Sequence, residues 1–328
     1  MRERPRGDGA PGDTTVLRAL RAWDVDAARV EYAPVGFGDH HWTATAPDGE
    51  RWFVTVSDLS DKPHCGPGTA SARDGLSRAM DTARALRERA GLGFVVAPLP
   101  TRDGRTLLPL GERYAVALFP HLPGATGEFG RETDPARRMR TVEILAALHR
   151  APVPGRAPVL PSDPAGRAGL ERSLGDLGVP WTGGPLAEPA RELLAGTPVA
   201  RRLAEYDLRA RDMRRRGVAP VLTHGEPHPG NVLWQGTRPL LLDWDTTAVA
   251  PPERDLWQVA LEPGELDRWT ELTGRAPDAG ALALYELRWD LEDIASCVAF
   301  FRSPHAPGAD ADLAREGFAR AAGRLATG

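Results

Sequence analysis

The first apolar pattern in the chain has a helical period. Leu17, Leu20 and Trp23 share one face of the stretch 13–23, and Asp13 or Thr14 can cap it. The period then changes. Runs at 29–35, 41–46 and 51–57 read as strands, and the turn PDGE (47–50) joins the last two as a hairpin. Between the first two lies GFGD, with Gly36 and Gly38. Helical spacing returns at 70–92, where Leu76, Met80, Ala83 and Leu86 line one face. FVVAPLP (94–100) and RTLLPLGERYAVALFPHLPG (105–124) predict further strands. The chain up to about 122 therefore holds a small sheet with one helix packed on it. From 134 it turns helical, with Asp134 as cap and Pro135 at the first helical position. Proline-rich connectors at 151–164 and 178–189 follow, then more helix at 188–217. Short strands APVLTHG and PLLLDW flank a rigid loop. The last long helix ends at 302, with Leu284, Leu287, Leu291, Ile294, Val298 and Phe301 as its core stripe.

Composition narrows the setting. A chain of 328 residues suits one large or two modest domains. A net charge of −4 leaves no basic footprint for nucleic acid. Cys65 and Cys297 lie too far apart in sequence for a disulfide framework or a CxxC pair, which fits a reducing interior. Residues 1–13 are polar and rich in Gly and Pro, so they predict a frayed tail and not a signal peptide. No apolar run approaches the length of a membrane span. A soluble, cytoplasmic protein without membrane or nucleic-acid partners is expected. Lys62 is the only lysine, so any mechanism that needs a lysine must use it.

The candidate chemistry lies in LTHGEPHPGNVLWQGTRPLLLDWDTTAVAPPERDLW (222–257). Gly225, Pro227, Pro229 and Gly230 forbid a regular helix, so 224–231 is a rigid loop. The hairpin turn QGTRP then returns the chain to LLLDW, which brings Asn231 and Asp243 together. An Asn oxygen beside an Asp carboxylate is a hard-oxygen site suited to Mg2+ on nucleotide phosphates. Glu226, five residues before the Asn, would stand where it could accept a proton from a hydroxyl. The two histidines of HGEPH cannot make a zinc-protease pair, because Pro and Gly exclude the helix that such a pair needs.

This stretch resembles the aminoglycoside phosphotransferase family of small-molecule kinases. The resemblance rests on His-Gly-acid-x-His-x-Gly-Asn, on the hydrophobic-Asp-Trp that follows, and on PPERDL (251–256). LAALHRAP (145–152) and ALFPHLPG (117–124) are also similar to family segments, and the whole covers roughly residues 30–302. It implies a two-lobed, protein-kinase-like α+β fold. A nucleotide-binding lobe would span 14–122, and a helical lobe with the acceptor pocket 123–328. It implies ATP and Mg2+, with Glu226 as base and Asn231 and Asp243 as metal ligands. Leu233 would floor the adenine, and the backbone near Leu118 and Phe119 would bind its edge. Gly36 and Gly38 would lie over the phosphates, while His224 and Asp255 would brace the loop.

Two departures stand out. The base position usually carries Asp and here carries Glu226. The third strand should carry a lysine that grips phosphate, but Thr55 stands there. Lys62 could reach back from the following loop to do this, with Asp81 or Glu88 as the partner acid; otherwise an arginine substitutes, or the grip is missing. On the last long helix Glu286, Asp290 and Asp293 form a carboxylate row that would attract an amine-bearing acceptor, or else pair with Arg288 and Arg302. Trp289 could stack on a sugar. The reaction expected is transfer of phosphate from ATP to a hydroxyl of a small polar molecule, an aminoglycoside or aminocyclitol, by a monomer or homodimer. The alternatives are a metabolite kinase acting on choline, homoserine or a sugar, and a nucleotide-binding pseudokinase.

Overall fold

The computed structural model describes residues 10–36 and 38–327. Most of the expected tail, 1–9, and Phe37 of the GFGD turn lie outside the described residues. In chain order the elements begin with α1 (Asp13–Leu20), β1 (Arg29–Ala33), β2 (His40–Thr45), β3 (Arg51–Asp58), α2 (Gly68–Glu88), β4 (Leu108–Leu110) and β5 (Tyr114–Pro120). Then come β6 (Ala125–Thr126), α3 (Pro135–His149), α4 (Arg167–Gly175), α5 (Ala187–Gly196) and α6 (Val199–Arg216). The rest is β7 (Val221–Thr223), β8 (Val232–Gln235), β9 (Arg238–Leu241), β10 (Ala248–Ala250), α7 (Glu253–Val259), α8 (Pro263–Thr273), α9 (Ala279–Arg302) and α10 (Ala309–Thr327).

The chain divides into two compact units, one of residues 1–160 with 220–277 and one of 161–219 with 278–328. The units interleave in sequence, whereas the sequence reading divides the chain once, at 122/123. The interleaving has a local cause. β6 pairs with β8, and Val95 bridges Leu241, so the segment 220–277 folds onto the N-terminal half.

The first unit is built on an antiparallel sheet of order β1-β2-β3-β5-β4. Alternation gives its strands two faces. Trp42, Ala44, Trp52, Val54 and Val56 pack with Val16, Leu20 and Trp23 in one core cluster. His41, Phe53 and Thr55, one residue out of step, lie on the other face. Trp42 is fully enclosed, and its indole N–H donates to Asp13 at 2.8 Å. Asp13 is thus a helical residue tied to the sheet; Gly12 is the N-cap, with no side-chain capping bond.

The segment 94–100 is not the strand expected. Pro98 and Pro100 remove two ladder donors. What remains is irregular chain, in which Leu241 N–H donates to Phe94 O at 2.7 Å and Val96 N–H to Leu241 O at 3.0 Å. The helix α2 buries Leu76, Met80, Ala83 and Leu86. It passes so close to the loop after β3 that a Cβ at Gly75 would overlap the carbonyl oxygen of Cys65.

The second unit consists of α4, α5, α6, α9 and α10. All six residues of the predicted α9 stripe lie in its core, with Phe318, Ala321 and Leu325 of α10. The helical stretch 188–217 is two helices, because Thr197 is extended (ψ 133°) ahead of Pro198. Among the described residues no helix is long and apolar enough to cross a membrane.

Candidate active site

The loop 224–231 leaves β7 and is held from behind by one carboxylate. Asp255, fully buried, accepts from the backbone N–H of His224 at 2.8 Å and of Gly225 at 2.7 Å. It also accepts from His149 Nε2 at 3.0 Å. His149 in turn accepts from Trp269 Nε1 at 3.0 Å on its Nδ1, which fixes its tautomer. Burial works to raise Asp255, but the His149 hydrogen bond and charge hold it below the usual carboxylate range. His224 ties the loop to the next hairpin. Its Nε2–H donates to Leu242 O at 2.8 Å, and its Nδ1 accepts from Glu226 N–H at 3.3 Å.

The hairpin β8–β9 brings Asn231 and Asp243 together. Val232 pairs with Leu241, and Leu242 N–H donates to Asn231 O at 2.9 Å. Asn231 Nδ2 donates to Glu226 O at 3.0 Å, so the carboxamide oxygen is the atom that could take a cation. Asp243 sits in the left-handed region at φ 55°, a conformation Asp tolerates and functional sites often hold. Two hard oxygens are what Mg2+ takes from protein when phosphates complete its shell. Among the described residues no group of three or more His, Cys, Asp or Glu is placed to hold a metal ion.

Around these residues the structure gathers a charge cluster in which three members, Asp39, His64 and Asp245, were missed by sequence reasoning. Lys62 is buried, with Nζ 2.6 Å from Asp245 Oδ2 and 3.0 Å from Asp39 Oδ1. His64 Nε2 lies 3.1 Å from the same Asp245 oxygen. Neither α2 acid partners Lys62: Asp81 accepts from Thr106 Oγ1 at 2.7 Å, and Glu88 pairs with Arg84 at 2.9 Å. Burial opposes the ammonium, yet Asp245 and Asp39 outweigh it and raise Lys62 well above its ordinary value. Asp245 moves the opposite way. Burial would raise it, but Lys62 and His64 hold it well below. Asp243 is pushed well up, first by the surrounding protein and then by Asp245; its open face to solvent moderates the push. Glu226 has 34% of its side chain exposed. Burial of the remainder, followed by the Asp245 charge, raises it to about 7.

Gly36 and Gly38 both have positive φ, 72° and 98°, and a Cβ at Gly36 would press on the His41 ring. Thr55 faces the same side, with Oγ1 3.2 Å from His41 Nδ1. Leu233 belongs to an apolar cluster with Phe119, Val96 and Leu240. Leu118 points to the opposite face of the sheet, and its carbonyl accepts from Leu99 N–H at 2.7 Å.

The α9 residues lie in the second unit. The carboxylate row expected there is open only in part: Glu286 is exposed and Asp293 half-buried, but Asp290 is not available. Asp290 is 5% exposed and accepts from Arg324 Nε at 2.6 Å, and Asp293 accepts from Arg324 Nη2 at 3.3 Å. Arg288 and Arg302, the partners expected for the row, pair with Glu292 and Asp176 instead. Trp289 is half-buried.

His228 gives the loop a pH dependence. Its ring lies 3.3 Å from Asn231 Nδ2 and is largely buried. Burial, then the nearby His224, lowers it to about 4. The unfolded chain binds this proton near pH 6.5 and the folded one only near 4, so stability is present above 6.5 and lost on acidification. In chelator-treated protein, urea unfolding at pH 5 should show about 2 kcal/mol less stability from this residue than at pH 7. His228→Gln should flatten the profile by about that amount.

Residues 30–297 match the phosphotransferase enzyme family. The chain is 31% identical to protein StrN of Streptomyces griseus over 312 residues, covering 87% of this chain and 89% of that one. Among solved structures it is similar to spectinomycin phosphotransferase APH(9)-Ia in complex with ADP and spectinomycin. The TM-score is 0.73 at 15% identity, covering 97% and 98% of the two chains. Choline kinase LicA of Streptococcus pneumoniae also matches, with TM-score 0.55 and 14% identity over 96% and 99%. The α+β architecture is that of the protein-kinase-like fold, and with the matching span running from β1 into α9, this chain belongs to the phosphotransferase enzyme family of small-molecule kinases.

Proposed function

We propose that the protein transfers phosphate from ATP to a hydroxyl of an aminoglycoside- or aminocyclitol-type acceptor. The observation that carries this is the meeting of Glu226, Asn231, Asp243 and Lys62 in one unit, with the acid at 226 raised to about 7. A general base works best with its pKa near the operating pH.

In this reading Asn231 Oδ1 and the Asp243 carboxylate hold Mg2+. The ion, when bound, neutralises charge on the phosphate oxygens. The glycine turn at 36–38 lets backbone N–H groups approach those oxygens, and Lys62 adds a fixed positive charge. Leu233 and Phe119 supply an apolar surface for adenine, beside the backbone that follows Leu118. The Glu226 carboxylate would accept the acceptor hydroxyl's proton as that oxygen bonds to the γ-phosphorus and the bond from γ-phosphorus to the β–γ bridging oxygen breaks, ADP leaving with that oxygen. His224 and Asp255 keep the loop from yielding, so that positioning and charge supply most of the rate. The longer side chain at 226 moves the proton acceptor outward from the loop.

The full-length likeness to spectinomycin phosphotransferase favours an aminocyclitol. The likeness to choline kinase keeps a metabolite acceptor as the second reading. The deciding measurement is ATP turnover, with mass spectrometry of the product, against spectinomycin, streptomycin, choline and homoserine. Phosphorylated spectinomycin or streptomycin is expected. Turnover on choline or homoserine alone would replace the antibiotic reading, and ATP binding without transfer to any of the four would count against both.

A further inference from the structure

We propose that Lys62 and Asp39 form the ion pair that orients the nucleotide's phosphates, Asp39 serving as the positioning residue for the lysine. This rests on the ATP reading above. It goes beyond it by moving both members of the pair off the strand and helix and onto two loops.

Four observations carry it. First, Thr55 occupies the strand position on the site face and is engaged with His41, so β3 offers no cation at that position. Second, the acids of α2 that could hold a lysine are committed to Thr106 and Arg84. Third, the chain's single lysine is 5% exposed, and its ammonium spans Asp245 and Asp39. An ammonium has three donors; Asp245 accepts one and Asp39 faces it as a charge contact, so at least one N–H remains for a phosphate oxygen. Fourth, Asp39 directly follows Gly38 and is pinned on its other oxygen by Ser57 Oγ at 3.0 Å. Its Oδ1 is buried and meets Lys62 as a charge contact without an aligned hydrogen bond. Asp39 therefore links the glycine turn to the cation, while Asp245 holds the same ammonium by a hydrogen bond.

The experiment is calorimetric titration with MgATP and, separately, adenosine, on the wild type and on K62A, D39N, D39E, D81N and E88Q. Adenosine reports the apolar site alone, and the ratio of the two affinities reports the phosphate grip. K62A should lower ATP affinity by about tenfold or more, with adenosine affinity unchanged. D39N should lower it about threefold or more, again without change for adenosine, and D39E should recover part of the loss. D81N and E88Q should match the wild type. Removing one member of a buried pair strands the other, so if K62A or D39N fails to fold, the neutral double variant D39N/K62M is titrated instead and should show the same lost ratio. The proposal is overturned if D39N or K62A keeps the wild-type ratio, or if D81N or E88Q abolishes it. A wild type that binds adenosine and ATP equally would sink the ATP reading itself, a separate result from any variant's.

Discussion

Glu226→Gln should bind MgATP as the wild type does and lose about 10²- to 10⁴-fold in turnover, the usual contribution of a positioned general base. The substitution keeps the shape of the side chain and the backbone bond from Glu226 N–H to His224. It removes only the capacity to take a proton. The same residue sets a pH profile. Because its carboxyl is raised to about 7 and the working form is the carboxylate, kcat/KM for ATP should fall about tenfold per pH unit below 7 and level off above it. A variant with full turnover, or a profile flat between pH 5 and 7, would remove Glu226 from the base role.

Asp255→Ala should cost more than any other single change in this region. Three donors converge on its carboxylate: the His224 and Gly225 amides and the His149 ring. All are enclosed, so each would be left without a partner. Leaving buried charge-assisted donors unmatched costs about 3–5 kcal/mol, which in a protein of this size shifts Tm by on the order of 10 °C. Turnover should fall as well, because these bonds set the path of the loop that carries Glu226. Thermal unfolding and steady-state kinetics on the same preparation would show both. A loss of activity with an unchanged Tm would mean that Asp255 acts on the reaction directly.

Sequence legibility followed the range of the interactions. Asn231 and Asp243 could be paired in advance because one short hairpin joins them, and the turn signal QGTRP is local. The α9 stripe was equally readable, since a 3.6-residue period needs no knowledge of the partner. Lys62 and Asp245 are separated by 183 positions, and no periodicity links residues so far apart. The same blindness hid Arg324, which neutralises Asp290 from α10. α10 itself gave little signal, as four of its six buried residues are alanines. At 94–100 an apolar run bounded by prolines could not be told from a strand, because extended chain and ladder strand bury the same side chains.

The close passage of α2 over the loop after β3 has a mechanical consequence. There is no room for even a methyl group at position 75. Alanine there would have to push the Cys65 carbonyl and α2 apart, and the loop that has to give is the one that carries Lys62 three residues earlier.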